Sequence, residues 1–183
     1  LHNRSVELAK LYGVPVSVKS SFSDNDGTMV CAEKSEKLIS GIVSDEKTAV
    51  ITVNGAGTDK AHVIFGVVAE NNINVDIIMS SPENGGEILF TVNSADAERT
   101  AKALKERLDC AVEISYDFAK ISIIGAGLEA NSGIAAKVFD TLKNAGINLR
   151  LITTSEIKIS VLVRKGDSTV AVRELHNILI EKS

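Results

Sequence analysis

The chain has 183 residues, 44% of them apolar and 24% charged, with a formal net charge of −4, the make-up of an ordinary globular protein of one or two domains. No basic cluster offers a footprint for nucleic acid or an anionic membrane surface, and no apolar run approaches the roughly 20 residues that span a bilayer. Cys31 and Cys110 stand in dissimilar settings, which excludes a disulfide framework or a metal quartet and favours a reducing, cytoplasmic home.

Residues 1–30 open the chain with SVELAKLYG, read as a helix with Val6, Leu8, Leu11 and Tyr12 apolar and Gly13 as its stop. VPVSVKSSF then alternates as a strand, and SDNDGT reads as a turn. A lone helix and strand bury no core, so this segment is expected to be the tail of an upstream domain or a linker. ISGIVSD (39–45) follows as a further apolar strand.

From residue 49 the chain says one thing twice. AVITVNGAG (49–57) returns as AKISIIGAG (119–127), INVDII (73–78) as INLRLI (147–152), and EILFTV (87–92) as EIKISV (156–161). A period near 70 residues is too long for a solenoid and suits two copies of one small domain. Copy one reads as a strand at 49–54, a helix at about 62–71, strands at 74–80 and 87–93, a helix at 96–107 and a strand at 111–115. Copy two has a strand through Ile121 and Ile123, and a helix with Ile134, Val138 and Leu142 at steps of four, closed by Gly146. Strands at 149–154 and 157–163 follow, then a helix at 169–180. Each copy is βαββαβ, the ferredoxin-like arrangement with two helices over one face of a four-stranded antiparallel sheet, so the fold class is α+β. Copy two lacks a fourth strand after its last helix. An open sheet edge is a liability. Residues 38–45 are therefore expected to close that edge, which inserts the first unit (46–117) within the second (38–45 plus 118–183).

The polar residues at the repeat's turns are the candidate sites. Gly55-x-Gly57 and Gly125-x-Gly127 end strands before helices, where backbone N–H groups and the helix's positive end suit an anion. Neither has the third glycine or the following acid of a dinucleotide fingerprint. Asn74 and Asn148 match across the copies, and Asp76 follows Asn74 by two, so an amide and a carboxylate could grip an α-amino group. Asp59, Ser155, Glu156 and Ser81 are polar turn positions. His2, His62 and His176 lack partners at ligand spacing, and no nucleophile motif appears, so no metal and no catalytic residue is assigned.

Two stretches add a resemblance. LHNRSVELAKLYGVPVSVKSSFSDNDGT resembles the segment that ends the catalytic domain of aspartate kinases, and GIAAKVFDTLKNAGIN with TSEIKIS resembles the paired ACT domains that follow it. The resemblance covers the whole chain. It implies an allosteric module that binds lysine, threonine or both and feeds back onto aspartate phosphorylation. ATP and magnesium would belong only to the kinase domain, and no cofactor to this chain. It further implies a homodimer through ACT domains, partnered with a kinase domain or a separate α subunit. Carried over by position, effector contacts fall on Asp59, Asn74, Asp76 and Ser80, and on Asn148, Leu149, Ser155 and Glu156. Three departures stand out. The turn after Asp59-Lys60 is about two residues shorter than the family's DKPG turn, Ser80 replaces a glutamine, and Asn131-Ser132-Gly133 replaces HPG. The short turn removes backbone donors, which implies a weakened or altered first site. The alternatives are a dimerisation module with a decayed effector site, or an enzyme holding phosphate at the Gly-x-Gly turns.

Overall fold

The computed structural model describes residues 1–32, 38–81, 86–126, 128 and 131–181. The first 36 residues and the rest of the chain form separate bodies. In the first, helix α1 (Asn3–Tyr12) starts with the His2 Nδ1 accepting from the Arg4 amide and stops at Gly13, whose φ of 64° only glycine adopts freely. Strands β1 (Val16–Val18) and β2 (Thr28–Val30) pair antiparallel, so a short second strand that was not expected begins at the last residue of the segment read as a turn. None of the described side chains before residue 33 is buried, and Phe22 is 97% exposed.

The second body holds both copies. β3 (Ile39–Asp45), β4 (Thr48–Asn54), α2 (Ala61–Glu70), β5 (Val75–Ser81), β6 (Glu87–Asn93), α3 (Ala97–Arg107) and β7 (Ala111–Ser115) come first. Then follow β8 (Phe118–Gly125), α4 (Ser132–Asn144), β9 (Leu151–Thr154), β10 (Lys158–Arg164) and α5 (Ser168–His176). The sheets run β5-β6-β4-β7 and β3-β8-β10-β9, all antiparallel. β3 lies on β8 from Ile39 against Gly125 to Asp45 against Lys120, so the strand ahead of copy one completes the sheet of copy two. β9 is shorter than the expected 149–154, because its ladder with β10 ends at the Leu151–Leu162 pair. The last helix gives way at Asn177 to a π-helical turn through Glu181.

Each sheet buries one face under its helices. Ile51, Val53, Ile88 and Phe90 meet Ile64, Val67 and Leu104 in the first unit; Ile121, Ile123 and Val161 meet Val138, Leu142 and Leu175 in the second. Both first helices close alike. In α4 the Ile147 amide reaches the Leu142 carbonyl and Gly146 that of Lys143; in α2 the Ile73 amide reaches Val68 and Asn72 reaches Ala69. Gly146 at φ 72° and Asn72 at φ 53° take the left-handed position.

The helix-free faces meet each other. Val50, Ile77 and Leu89 of the first sheet pack with Leu151 and Leu162 of the second, flanked by Met79 and Phe118. Central strands β6 and β10 are thus buried on both faces over Ile88–Val92 and Ile159–Val163, with Leu89 and Leu162 apolar on the face that a half-exposed strand would keep polar. The Ser122 and Ser160 hydroxyls, 3.0 Å apart, satisfy each other on the covered face of the second sheet.

Candidate functional site

The connection between β9 and β10 is drawn tight by one residue. The Ser155 amide donates to the Lys158 carbonyl at 2.8 Å, and the Lys158 amide donates to the Ser155 hydroxyl at 3.2 Å. This turn leaves Glu156 exposed and stands opposite the start of α4, whose Ile134 amide returns to the Asn131 carbonyl at 3.1 Å. Between them lies a pocket of about 450 Å³ lined by Leu128, Asn131, Ala135, Thr154, Ser155 and Glu156. No acidic residue lies in the first turn of α4, so its own carboxylates do not neutralise the positive end of the helix. Its walls carry the hydroxyls of Thr154 and Ser155, the start of α4 and the carboxylate of Glu156. Gly127, the second glycine of the Gly125 turn, lies outside the described residues.

The matching turn of the first unit is laid out differently. Thr58–Lys60 form a single 3-10 turn that runs straight into α2, with no side-chain cap. The Lys60 ammonium donates to the Gly55 carbonyl at 3.3 Å and lies as far from the Cys110 sulfur. Gly86 closes on the same turn: its carbonyl accepts from the Gly55 amide at 2.8 Å, and a Cβ on it would sit 2.7 Å from Gly57 Cα. Asp59 is exposed, and its carbonyl oxygen lies 2.7 Å from His62 Nδ1.

Registers separate the first unit's four candidates. Ser80 lies opposite Ile88, which lies opposite Val53, so Ser80 shares the glycine-turn end of the sheet with Asp59. Asn74 precedes Val75, whose row runs through Val92 to Ala49 at the other end. From Asn74 to Ser80 is roughly 20 Å at about 3.3 Å per strand residue. Asn74 and Asp76 are instead brought together in a cleft of about 450 Å³ with Asp45, Lys47, Asp96 and Lys120.

Asp76 is engaged within the chain. Its carboxylate accepts from the Lys120 ammonium and, at 3.3 Å, from that of Lys158, both on the second sheet. Lys120 is largely covered, at 17% side-chain exposure, and also lies 3.7 Å from Asp45. Partial burial pushes the Asp76 carboxyl upward, yet the hydrogen bond and charge of Lys120, joined by Lys158, outweigh it and hold the group below its ordinary value. A carboxylate depressed on folding adds stability above its unfolded pKa, and that increment is lost as pH falls through the folded one. Wild type is therefore expected to exceed Asp76→Asn in stability by a constant margin at neutral pH, with the gap closing below about pH 4. Urea melts of the two proteins from pH 7 to pH 2.5 check this. A margin that widens toward acid contradicts it.

Asn148 and Leu149 line a third cleft, of about 360 Å³, with Glu113 and Ser115 of the first unit and Arg150 and Arg164 of the second. The structure thus gathers the eight candidates as Ser155 with Glu156, Asn74 with Asp76, and Asn148 with Leu149, leaving Asp59 and Ser80 at the glycine-turn end of the first unit. Sequence reasoning missed Lys120 and Lys158 and named Asn131 only as a departure from HPG. Lys158 lies inside TSEIKIS, but its partner is 82 residues away, a pairing no local pattern announces. Among the described residues no cluster of three or more His, Cys, Asp or Glu could hold a metal ion, and no helix is long and apolar enough to cross a membrane.

Comparison with known proteins follows the same geometry. A family model for the ACT domain matches residues 121–179. The aspartokinase of Helicobacter pylori strain 26695 is 39% identical over 97% of this chain, and the match covers 47% of that protein. The chain spans about half the length of the curated relatives it matches. A solved structure of aspartokinase alpha and beta subunits is similar at 36% identity and a TM-score of 0.70, covering 76% of this chain and 97% of that one. The ligand-free regulatory subunit of aspartate kinase from Thermus thermophilus is similar at 29% identity and a TM-score of 0.72, over 76% of this chain and 97% of that one.

Proposed function

The chain belongs to the aspartokinase family, as a regulatory region built of ACT units, and from that premise we propose that it binds lysine, threonine or both to control aspartate phosphorylation by feedback. The observation that carries the reading is the pocket between the Ser155 turn and the start of α4, where one wall holds Glu156 beside the Thr154 and Ser155 hydroxyls and the other holds a helix terminus. One end suits the carboxylate of an amino acid and the other its ammonium.

The kinase partner, a catalytic domain or separate α subunit, would supply ATP, magnesium and the phosphoryl chemistry. The exposed Leu8, Leu11, Tyr12 and Phe22 of the first body support contact with such a domain, since exposed apolar side chains in number signal a covering partner. A homodimer through ACT units in the cytoplasm completes the proposal. An effector acts by linkage: it shifts the kinase only by its differential affinity for one arrangement of the paired units.

Calorimetry on this chain with lysine, threonine and methionine, singly and mixed, tests it. Heat that saturates with lysine or threonine, and is lost in Glu156→Gln, is expected. Absence of heat from every amino acid sinks the reading and favours a second one, a dimerisation module with a decayed site. The Lys60 ammonium over the Gly55 carbonyl and the packing of Gly86 on Gly57 favour that second reading for the first unit alone.

A further inference from the structure

Three features meet at Lys158. Its backbone closes the Ser155 turn, so the strand's first residue is tied to the wall of the second unit's pocket. Its ammonium crosses to the first unit and ends on Asp76. Asp76 in turn precedes Ile77, whose amide leaves the strand ladder at the irregularity between Val75 and Ile78 and donates to the buried Thr91 hydroxyl at 3.0 Å. Ile77 itself is packed in the core between the sheets.

We propose that Lys158 is a positioning residue that mechanically ties the Ser155 turn of the second unit to strand β5 of the first, so that a change at the pocket wall is felt at Asp76 and Ile77. Lys120 fills the other role at the same carboxylate. It lies largely covered against Asp45 and Asp76, and anchors the carboxylate irrespective of the turn. An isolated half-exposed ion pair transmits little, but here one carboxylate is shared by two cations, one of them largely covered, and sits beside packed core. The path is short: Ser155 hydroxyl, Lys158 amide, Lys158 ammonium, Asp76, Ile77. Its regulatory meaning rests on the effector reading above, whereas the link itself is a property of the chain alone.

Amide hydrogen exchange without any ligand tests the link, and calorimetry tests the pocket, so the two fail separately. The Ile77 amide is followed in wild type, Ser155→Ala, Lys158→Met and the double variant. Removing the Ser155 hydroxyl is expected to speed Ile77 exchange about threefold or more when Lys158 is present, and to leave it unchanged in the Lys158→Met background. Should Lys158→Met fail to fold, Asp76→Asn breaks the same link and serves in its place. Lys120→Met is the control, in which the response of Ile77 to Ser155→Ala persists. An Ile77 rate indifferent to Ser155→Ala in wild type, or raised equally in both backgrounds, overturns the proposal.

Discussion

Truncating Leu162 to alanine is expected to destabilise the chain by about 2–5 kcal/mol, the range for deleting a fully buried leucine without collapse of its surroundings. Leu162 is fully buried, and its side chain belongs to neither helix-covered core. It packs with Val50, Ile77 and Leu89 of the other sheet, so the loss falls on the contact between the units. Each unit alone is near 70 residues, a size at which a single core is marginal. Urea unfolding followed by amide exchange should therefore show the strands of the two sheets opening at different denaturant concentrations in Leu162→Ala and together in wild type. Leu142→Ala, within the second unit's own core, should cost a similar amount but lower the second unit first. A loss below about 1 kcal/mol for Leu162→Ala would show that the sheets do not depend on each other.

A second large effect is expected at Gly125. A Cβ placed there would lie 2.0 Å from the Leu38 carbonyl oxygen and 3.1 Å from Ile39 Cα, both backbone atoms that cannot swing aside. Gly125→Ala must push β3 off β8, at a cost of about 1–3 kcal/mol or more. Exchange at Ile42, Val43 and Ser44 should accelerate while β4 and β6 stay protected, because only the second sheet contains β3. Gly133→Ala is the control: nothing lies within 4 Å of a Cβ there, and alanine in a helix is about 0.5–1 kcal/mol better than glycine. If Gly125→Ala proves as mild as Gly133→Ala, the close approach of β3 is wrong.

The duplication made much of the architecture readable. Matching strand–glycine–helix series placed both βαββαβ units, and the strand missing after α5 pointed to Ile39–Asp45 as the closing edge. The packing of one sheet on the other went unread, although Leu89 and Leu162, apolar on the face that alternation would leave polar, carried its signal. β9 fell short of 149 although β10 runs on to Arg164, because its ladder stops at the Leu151–Leu162 pair, a limit that local apolar content does not reveal. For the sites, local spacing put Asp59 and Asn74 in one unit but could not tell that α2 leads from the Asp59 turn at one end of the sheet to Asn74 at the other. Asp76 looked like a ligand group in isolation. Its two lysines, 44 and 82 residues downstream, became visible only in three dimensions.

The most direct test of the regulatory reading is a crystal structure of this chain grown with lysine and threonine together. An amino acid is expected between the Ser155 turn and the start of α4, its ammonium toward Glu156 and its carboxylate toward the helix terminus. The turn after Asp59 should stay empty, with Lys60 still on the Gly55 carbonyl. An amino acid seated at the Asp59 turn while the Ser155 pocket remains empty would contradict it.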